Sequence, residues 1–438
     1  MEKISSEELI AAVESCSEIV KTEIDRVTAD SRQAGKGALF VAVRGERFDG
    51  HDFVGQALDK GAELALVEKL VPGVPADRQV VVRDTLEAYG RIGAYNRSKF
   101  KGTVIGLTGS AGKTTTKEEI RFALSRFGSV YATSGNHNNH IGVPMSLCEM
   151  DMNADYAVIE MGMSAKGEIS RLTSYVKPDL ALVTNVYPMH IEFFENFEGI
   201  AEAKAEIFEG LKTGGTAVIN EDTNFADVLE KRALEHGARV VKFGRRHHYD
   251  GKLELEQDGE AQLYNAWATL AVVDALGLDA DKAASALKDF GALPGRGKSY
   301  RLKLPAGGVF TLIDDSYSGQ PEAMKIAIDG LDKMPCAGRK IAVLGKMAEL
   351  GETSEARHKE IGERLSGSAV GVCPEMKTML AELRPDQEKH YFADKEGVAE
   401  FLLNNLLQNN DILLIKGARY SSKLYQVTDA LLKGLEKA

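Results

Sequence analysis

The chain has 438 residues, of which 44% are hydrophobic and 27% charged, and its formal net charge is −11. This length exceeds what a single hydrophobic core usually supports, so several domains are expected. The acidic balance argues against a protein that coats nucleic acid or an anionic membrane, and no apolar run is long enough for a membrane helix.

The N-terminal residues and the spacing of the cysteines bear on the cellular compartment of the protein. Residues 1–10 are acidic and lack the apolar core of a signal peptide. The four cysteines are scattered, with no close pair that would indicate a zinc or redox motif. We therefore expect reduced thiols and a cytoplasmic protein.

The first predicted domain covers residues 1–83. Apolar runs at residues 39–43 and 64–67 predict buried strands, and glycine-containing turns lie around them. A helical pattern at residues 85–95 then leads into the second domain. We predict a small α/β domain at this end of the chain.

The second predicted domain, residues 84–297, alternates short apolar strands with amphipathic helices. Its strands are predicted at residues 104–107, 156–159, 180–183, 217–219 and 240–243, and its last helix at residues 264–276. Strands that are apolar on both faces and separated by helices are typical of a parallel sheet covered on each side.

The third predicted domain, residues 298–438, repeats this alternation. Its strands are predicted at residues 310–313, 341–344 and 412–415. The fold class is therefore predicted to be α/β, with a mainly parallel sheet in the central domain and a Rossmann-like C-terminal domain.

A glycine-rich segment, TVIGLTGSAGKTTT at residues 103–116, follows the order strand, phosphate-binding loop, helix. Glycines can turn successive N–H groups towards phosphate oxygens, and the following helix adds its positive end. The lysine would reach the outer phosphates and the next threonine would hold Mg²⁺. We expect the chain to bind a nucleoside triphosphate through Gly109, Ser110, Ala111, Gly112, Lys113, Thr114 and Thr115.

Three more side chains of the second domain are candidates for chemistry. Glu160 follows the predicted strand 156–159 and could hold Mg²⁺, because ligands of parallel sheets lie beyond the carboxyl ends of the strands. His190 follows the next strand and could serve a metal or a phosphate. Glu160 could instead be a solvated strand-end carboxylate, and His190 a structural or merely exposed histidine. For Lys204, the spacing alone favours a solvated lysine that pairs with glutamates on its helix.

Polar residues in two other segments could recognise a ligand. In the loop GNHNNHIG at residues 135–142, the amides of Asn136 and Asn139 could bind substrate or phosphate oxygens, or could cap turns. Asp314 and Asp315 end a predicted strand and could face a ribose or a metal, or cap the next helix. The pattern leaves these alternatives open.

An ordered set of motifs resembles the Mur ligase family over nearly the whole chain. The motifs lie at residues 30–32 (DSR), 45–53 (GERFDGHDF), 108–116, 135–144, 160–162 (EMG), 167–169 (GEI), 203–211, 314–317 (DDSY) and 347–351 (MAELG). The resemblance implies an N-terminal domain that binds a UDP-sugar, a central ATP-binding domain and a C-terminal ligase domain.

The resemblance also implies roles for single residues. Thr114 and Glu160 would hold one Mg²⁺, and Lys204 would react with CO₂ to form a carbamate that holds a second Mg²⁺ together with His190. The catalytic residues would be Lys113, Glu160, His190 and Lys204. Further implied contacts are adenine for Asn265, nucleotide for Arg296, ribose for Asp315, uridine nucleotide for Ser31 and Arg32, and substrate for Lys416.

The implied reaction is ATP-driven amide formation in peptidoglycan precursor synthesis. The motifs are nearest to the family member that adds D-alanyl-D-alanine to UDP-N-acetylmuramoyl-tripeptide through an acyl phosphate. The expected partners are therefore a UDP-muramyl-peptide and a dipeptide amine, and the protein is expected to be a monomer. Lys346 and residues 318–320 depart from the family pattern. Two alternatives are a divergent ligase for another acid and amine, and a nucleotide-binding protein without catalysis.

Overall fold

The computed structural model describes residues 1–45, 48–189, 191–256, 259–348 and 350–437. The chain divides into two compact units. Unit 1 contains Met1–Val186, Asn196–Glu254 and Leu263–Leu287, and unit 2 contains Tyr187–Glu195, Leu255–Gln262 and Lys288–Ala438. The domain boundaries predicted after residues 83 and 297 stay predictions. Within the described ranges, no helix combines the length and apolarity needed to cross a bilayer.

The N-terminal part of unit 1 is a small α/β structure. Its elements are β1 (Ile4–Ser5), α1 (Ser6–Val13), β2 (Glu23–Ile24), β3 (Arg26–Thr28), β4 (Ala38–Val41), α2 (Val54–Asp59), β5 (Leu64–Val67), β6 (Gln79–Val81) and α3 (Thr85–Lys99). Strands β3, β4, β5 and β6 form a parallel sheet in that order, and β1 pairs with β2 antiparallel. The two strands predicted here are thus confirmed as β4 and β5.

Helix α3 is one turn longer than predicted because its last turn is anchored by a buried charge. The Asp84 carboxylate caps the start of the helix by accepting from the N–H of Glu87 at 2.8 Å. Near its end, the Arg97 guanidinium donates to the carbonyls of Val176 (2.8 Å) and Lys177 (2.9 Å). A hydrophobic pattern gives no sign of such a buried arginine.

The rest of unit 1 is built on a second parallel sheet. Its elements are β7 (Thr103–Thr108), α4 (Lys113–Leu124), β8 (Val130–Ala132), α5 (Gly142–Glu149), β9 (Tyr156–Glu160), α6 (Glu168–Val176), β10 (Leu180–Val183), α7 (Phe197–Ala205), β11 (Thr216–Asn220), α8 (Ala226–Glu235), β12 (Arg239–Phe243), α9 (Glu260–Ala275) and α10 (Ala280–Leu287). The strand order is β12-β11-β10-β7-β9-β8 and every neighbouring pair is parallel.

The position of β7 explains where a ligand can bind. The chain continues from β7 to β8 and β9 on one side of it, then crosses to β10, β11 and β12 on the other. Such a reversal leaves a crevice at the carboxyl end of the central strand. The five strands predicted in this sheet are confirmed, whereas β8 was missed because it is short and only half-buried.

Unit 2 contains a third sheet of the same type. Its elements are β13 (Lys298–Lys303), β14 (Val309–Asp315), α11 (Pro321–Lys333), β15 (Lys340–Gly345), α12 (Ser354–Arg364), β16 (Ser368–Val372), α13 (Met376–Ala381), β17 (Lys389–Phe392), α14 (Val398–Phe401), β18 (Ile412–Lys416), α15 (Arg419–Ser422) and α16 (Tyr425–Gly434). The order is β13-β14-β18-β15-β16-β17, parallel except for the edge strand β13. The three predicted strands are confirmed as β14, β15 and β18.

The acidic side chain of Glu119 is buried in unit 1 between two helices. Glu119, on α4, is buried, and one of its carboxylate oxygens accepts from the Thr269 hydroxyl of α9 at 3.4 Å. Burial raises the pKa of Glu119 to about 8. The folded protein therefore keeps a proton that the unfolded chain releases above its ordinary pKa, and the unfolding free energy falls as the pH rises from about 4.5 to about 8.

Replacing Glu119 with glutamine should remove this pH dependence. We expect E119Q to be more stable than the unmodified protein by about 4 kcal/mol at pH 8, with a difference of less than about 1 kcal/mol at pH 5. Calorimetric unfolding at both pH values measures the effect. The exposed Glu355, which pairs with Lys359 at 3.5 Å, supplies the control variant E355Q. A gain in stability that is equal at pH 5 and pH 8 would contradict the assignment.

Candidate active site

The phosphate loop joins β7 to α4 and depends on two glycines. Gly109 and Gly112 have positive φ angles, 154° and 77°. A Cβ atom at Gly109 would lie 1.9 Å from the Thr184 hydroxyl oxygen, and one at Gly112 would lie 2.8 Å from Oδ1 of Asn265. Both the backbone angles and the close neighbours therefore require glycine.

Asn185, two residues after β10, shapes the loop. Asn185 accepts from the Ser110 N–H through its carbonyl (3.0 Å) and from the Ala111 N–H through Oδ1 (2.8 Å). Its side-chain amide donates back to the Ala111 carbonyl at 3.1 Å. Sequence reasoning missed Asn185, although its place after a central strand is a usable signal. Contact of the Ser110 and Ala111 N–H groups with phosphate stays a prediction and requires an exchange of partners.

The first turn of α4 carries the predicted phosphate and metal contacts. The Lys113 ammonium donates to the Gly109 carbonyl at 2.8 Å, so this side chain folds over the loop. The Thr114 hydroxyl lies 3.0 Å from one carboxylate oxygen of Glu160 and 3.3 Å from the other. Thr115 follows in the same half-buried turn. The N–H groups of a first helical turn lack partners within the helix, which suits phosphate binding.

Glu160, the last residue of β9, is only 1% exposed. The interpretation as a solvated strand-end carboxylate is therefore wrong. Its carboxylate accepts from the Asn138 side-chain amide at 2.7 Å as well as from Thr114, and the Lys117 ammonium lies 3.8 Å away. Sequence reasoning missed both Asn138 and Lys117.

The oxygens of Thr114 and Glu160 form a donor set that suits Mg²⁺, which prefers oxygen ligands. Among the described residues, no three His, Cys, Asp or Glu side chains converge on one point. A magnesium ion held here would therefore complete its shell with phosphate and water oxygens, as Mg²⁺ usually does. His190, the predicted ligand of a second ion, lies outside the described residues.

Lys204 corrects a prediction made from spacing. It lies in α7 and is 3% exposed, so the interpretation as a solvated lysine is wrong. The physical reason is that α7 turns this position into the core together with Ile200 and Ala203. Burial, together with the nearby Lys113 ammonium, lowers the pKa of Lys204 well below its ordinary value. The amine is thereby favoured in its neutral form.

The predicted asparagines have different surroundings. Asn265, on α9, accepts from the Thr116 hydroxyl at 3.1 Å and so lies beside the start of the phosphate-loop helix. Asn139 accepts from the N–H groups of Ile141 (3.2 Å) and Gly142 (2.9 Å), which is the turn-capping role. Asn136 is exposed. Ligand contacts for these three asparagines stay predictions.

The N-terminal candidates lie just after β3. The Ser31 hydroxyl donates to the side chain of Gln56 at 3.0 Å. The Arg32 guanidinium donates to both carboxylate oxygens of Asp30, at 2.9 and 2.8 Å, and this contact is the main reason that the pKa of Asp30 is lowered. The motif DSR thus forms a compact charged turn at the carboxyl edge of the first sheet.

In unit 2, two predicted residues form one ion pair. Asp315 ends β14 and Lys416 ends the adjacent strand β18, and their side chains meet at 2.6 Å. Burial raises the pKa of Asp315 despite this partner. The Arg296 guanidinium stacks on the Tyr317 ring, 4.0 Å from its centre.

Asp314 has a structural role within unit 2. It accepts from the Gly295 N–H at 2.7 Å and from the Ser316 hydroxyl at 2.6 Å. The idea that either aspartate caps the next helix is wrong, because α11 begins at Pro321 and its N-cap residue is Gln320. The other two ideas, a ribose or a metal, stay predictions for Asp315.

A glycine-dependent phosphate loop at the centre of a parallel sheet, with a buried carboxylate and a buried lysine nearby, defines a P-loop nucleotide-binding domain. Family models agree and extend this class over the chain. Residues 107–273 match the Mur ligase middle domain, residues 301–419 the Mur ligase glutamate ligase domain, and residues 23–96 the Mur ligase family catalytic domain. The chain belongs to the Mur ligase family.

Relatives match nearly the whole chain. UDP-N-acetylmuramoyl-tripeptide--D-alanyl-D-alanine ligase of Escherichia coli is 35% identical, covering 93% of this chain and 94% of the relative. The enzyme of the same name from Bacillus subtilis is 33% identical and covers 94% of both chains. MurF from Acinetobacter baumannii has a TM-score of 0.88 at 29% identity, with 99% of each chain covered.

A further solved relative concerns the nucleotide. MurF ligase from Thermotoga maritima, crystallised in complex with ADP, has a TM-score of 0.79 at 30% identity, covering 93% of this chain and 97% of that one. These matches confirm the predicted fold class of three α/β domains with a central P-loop domain.

Proposed function

We propose that this protein joins D-alanyl-D-alanine to UDP-N-acetylmuramoyl-tripeptide in peptidoglycan precursor synthesis, using ATP and releasing ADP and phosphate. The observation that carries the proposal is the match to relatives of this activity over more than nine-tenths of the chain. The phosphate loop and the buried Glu160 and Lys204 supply the local chemistry. ATP and the UDP-linked peptide are both nucleotides, so we propose a cytoplasmic location. That the protein is a monomer stays a prediction.

In the first step, the peptide carboxylate attacks the γ-phosphorus of ATP, the bond to the β-phosphate oxygen breaks, and an acyl phosphate and ADP result. Catalysis of this step depends mainly on positioning and on charge stabilisation. Lys113, already folded over the loop, would move its ammonium from the Gly109 carbonyl to the transferring phosphoryl group. Mg²⁺ held by Thr114 and Glu160 would supply further positive charge.

In the second step, the free amine of the dipeptide attacks the acyl carbon, the amide bond forms, the nitrogen loses a proton and inorganic phosphate leaves. The acyl phosphate must be kept from water during this interval. We propose that the predicted contacts Asn265, Arg296 and Asp315 hold the nucleotide. Ser31, Arg32, Asn136, Asn139 and Lys416 are the proposed contacts of the two other substrates.

We further propose that Lys204 carries a carbamate. Its neutral amine would attack CO₂, forming a nitrogen–carbon bond and releasing a proton. The lowered pKa of Lys204 supports this step because only the neutral amine reacts. The resulting anion would hold a second Mg²⁺ together with His190.

Phosphate release tests the proposed function. Purified protein is mixed with ATP, Mg²⁺, UDP-N-acetylmuramoyl-tripeptide and D-alanyl-D-alanine, and each component is omitted in turn. We expect phosphate release only when all four components are present. The product should be heavier than the UDP-N-acetylmuramoyl-tripeptide by the mass of two alanine residues. Absence of release with the complete mixture, in protein that binds ATP, would refute the proposal.

A second candidate function rests on Lys346. This residue follows β15, where the family pattern has an acid, and its ammonium pairs with Glu375 at 2.9 Å. A positive charge in place of a negative one at this strand end supports the alternative of a divergent ligase that uses another amine. Screening amino acids and dipeptides for amine-dependent ADP formation separates the two, since strict preference for D-alanyl-D-alanine excludes the divergent ligase.

A further inference from the structure

Lys117 is a buried cation for which the reaction described above has no use. It lies on α4, four residues after Lys113, and is 0% exposed. Its ammonium donates to the carbonyls of Thr133 at 2.6 Å and Gly135 at 2.9 Å. A buried ammonium is costly unless hydrogen bonds and opposite charges compensate it. The contacts of Lys117 provide both kinds of compensation.

The first set of contacts joins two parts of the candidate site. Thr133 directly follows β8, and Gly135 opens the polar loop at residues 135–142. Lys117 therefore ties the start of this loop to the phosphate-loop helix. In the same loop, Asn138 donates to a carboxylate oxygen of Glu160 at 2.7 Å. The loop that Lys117 fixes is thus also the loop that orients Glu160.

The second contact is electrostatic. The Lys117 ammonium lies 3.8 Å from the other carboxylate oxygen of Glu160, and 3.2 Å from a carboxylate oxygen of Glu118. Glu160 is almost fully buried, so water screens its attraction to Lys117 only weakly. The carboxylate is consequently held between a fixed ammonium and a fixed amide, with its orientation set by the protein.

We propose that Lys117 is a positioning residue for the metal-binding carboxylate Glu160. Groups that orient a metal ligand typically change metal affinity or activity by about 10- to 100-fold when they are removed. The proposal rests on the proposed function only in assuming that the site binds a magnesium–nucleotide complex. It assigns Lys117 to metal-dependent nucleotide binding and not to nucleotide binding as such.

Calorimetric titration of the full-length protein with ADP, with and without Mg²⁺, tests the assignment. K117M has nearly the same length but no charge, and K117R restores the charge. We expect K117M to weaken Mg²⁺–ADP binding by about 10- to 100-fold and metal-free ADP binding only slightly. K117R should recover part of the loss.

The matched control lies on the same helix. Arg121 is half-exposed and pairs with Glu118 at 2.7 Å, so R121M removes a cation from α4 without touching Glu160. It should leave both titrations unchanged. If K117M fails to fold, K117Q serves instead, because its amide can still donate to one carbonyl while carrying no charge.

Two results would overturn the assignment: equal weakening of ADP binding with and without Mg²⁺, or no weakening in either titration. These results are separable from the fate of the proposed function. If no amine supports ligation but K117M selectively weakens Mg²⁺–ADP binding, amide synthesis is refuted and the role of Lys117 stands. If the unmodified protein carries out ligation but K117M keeps the same preference for Mg²⁺–ADP, the proposed function stands and the role of Lys117 is refuted.

Discussion

Replacing Lys113 with alanine is expected to lower kcat by about 10³-fold while the protein stays folded. The reason is that this ammonium would stabilise the charge of the transferring phosphoryl group, and loss of one such preorganised group typically costs about 10²- to 10³-fold. Its ammonium donates to two loop carbonyls, and the turn that carries it is half-buried and outside the apolar core. Phosphate release at saturating substrates measures the loss, and thermal unfolding checks the fold.

A nearby lysine provides the comparison. Lys101 is exposed and lies just before β7, so K101A removes a positive charge close in sequence without touching the loop. It should retain full activity. If K113A were as active as K101A, the phosphate loop would have no part in the reaction, although it could still bind nucleotide.

Replacing Lys204 with alanine should also lower kcat, by about 10²- to 10³-fold, because the proposed carbamate supplies an anion for a second metal ion. Added formate or acetate should restore part of the activity, since a small carboxylate can enter the space left by the side chain. The measurement is phosphate release as a function of carboxylate concentration, with chloride at equal ionic strength as the reference.

K204R separates the carbamate from a plain positive charge. Arginine stays protonated and does not react with CO₂, so K204R should be inactive and should gain nothing from formate. Activity of K204R close to that of the unmodified protein would exclude a carbamate. Loss of activity in K204A without any rescue would leave the carbamate without support.

The sequence predicted the sheets well because their strands are continuous apolar runs. The runs at residues 64–67 and 180–183 coincide with β5 and β10, since strands buried on both faces need apolar residues throughout. Strand β13 was missed because it lies at the edge of its sheet and its sequence, KSYRLK, alternates exposed polar residues with half-buried ones, with Leu302 as its one buried position. Its partner is antiparallel, which no local pattern indicates.

The phosphate loop could be predicted because its glycines, lysine and threonines have a fixed spacing. The buried charged residues of the site could not be predicted in this way. Lys117 and Lys204 both lie on helices whose patterns are typical of solvated lysines, yet both are buried. Burial of a lysine is decided by tertiary contacts, such as the carbonyls of Thr133 and Gly135, which are distant in sequence. The pairing of Asp315 with Lys416 is of the same kind, because it depends on strand order.

The bonds between Asn185 and the phosphate loop have a consequence for binding energetics. Because Ser110 and Ala111 are already ordered before a nucleotide arrives, their backbone entropy is lost on folding, and on binding their N–H groups need only change partners from Asn185 to phosphate. A flexible loop would instead lose this entropy when the nucleotide binds, and part of the interaction energy with the nucleotide would offset that loss. An aspartate at position 185 would lose the hydrogen bond to the Ala111 carbonyl and would place a negative charge against the incoming phosphates, so the side-chain amide suits a loop that must accept an anion.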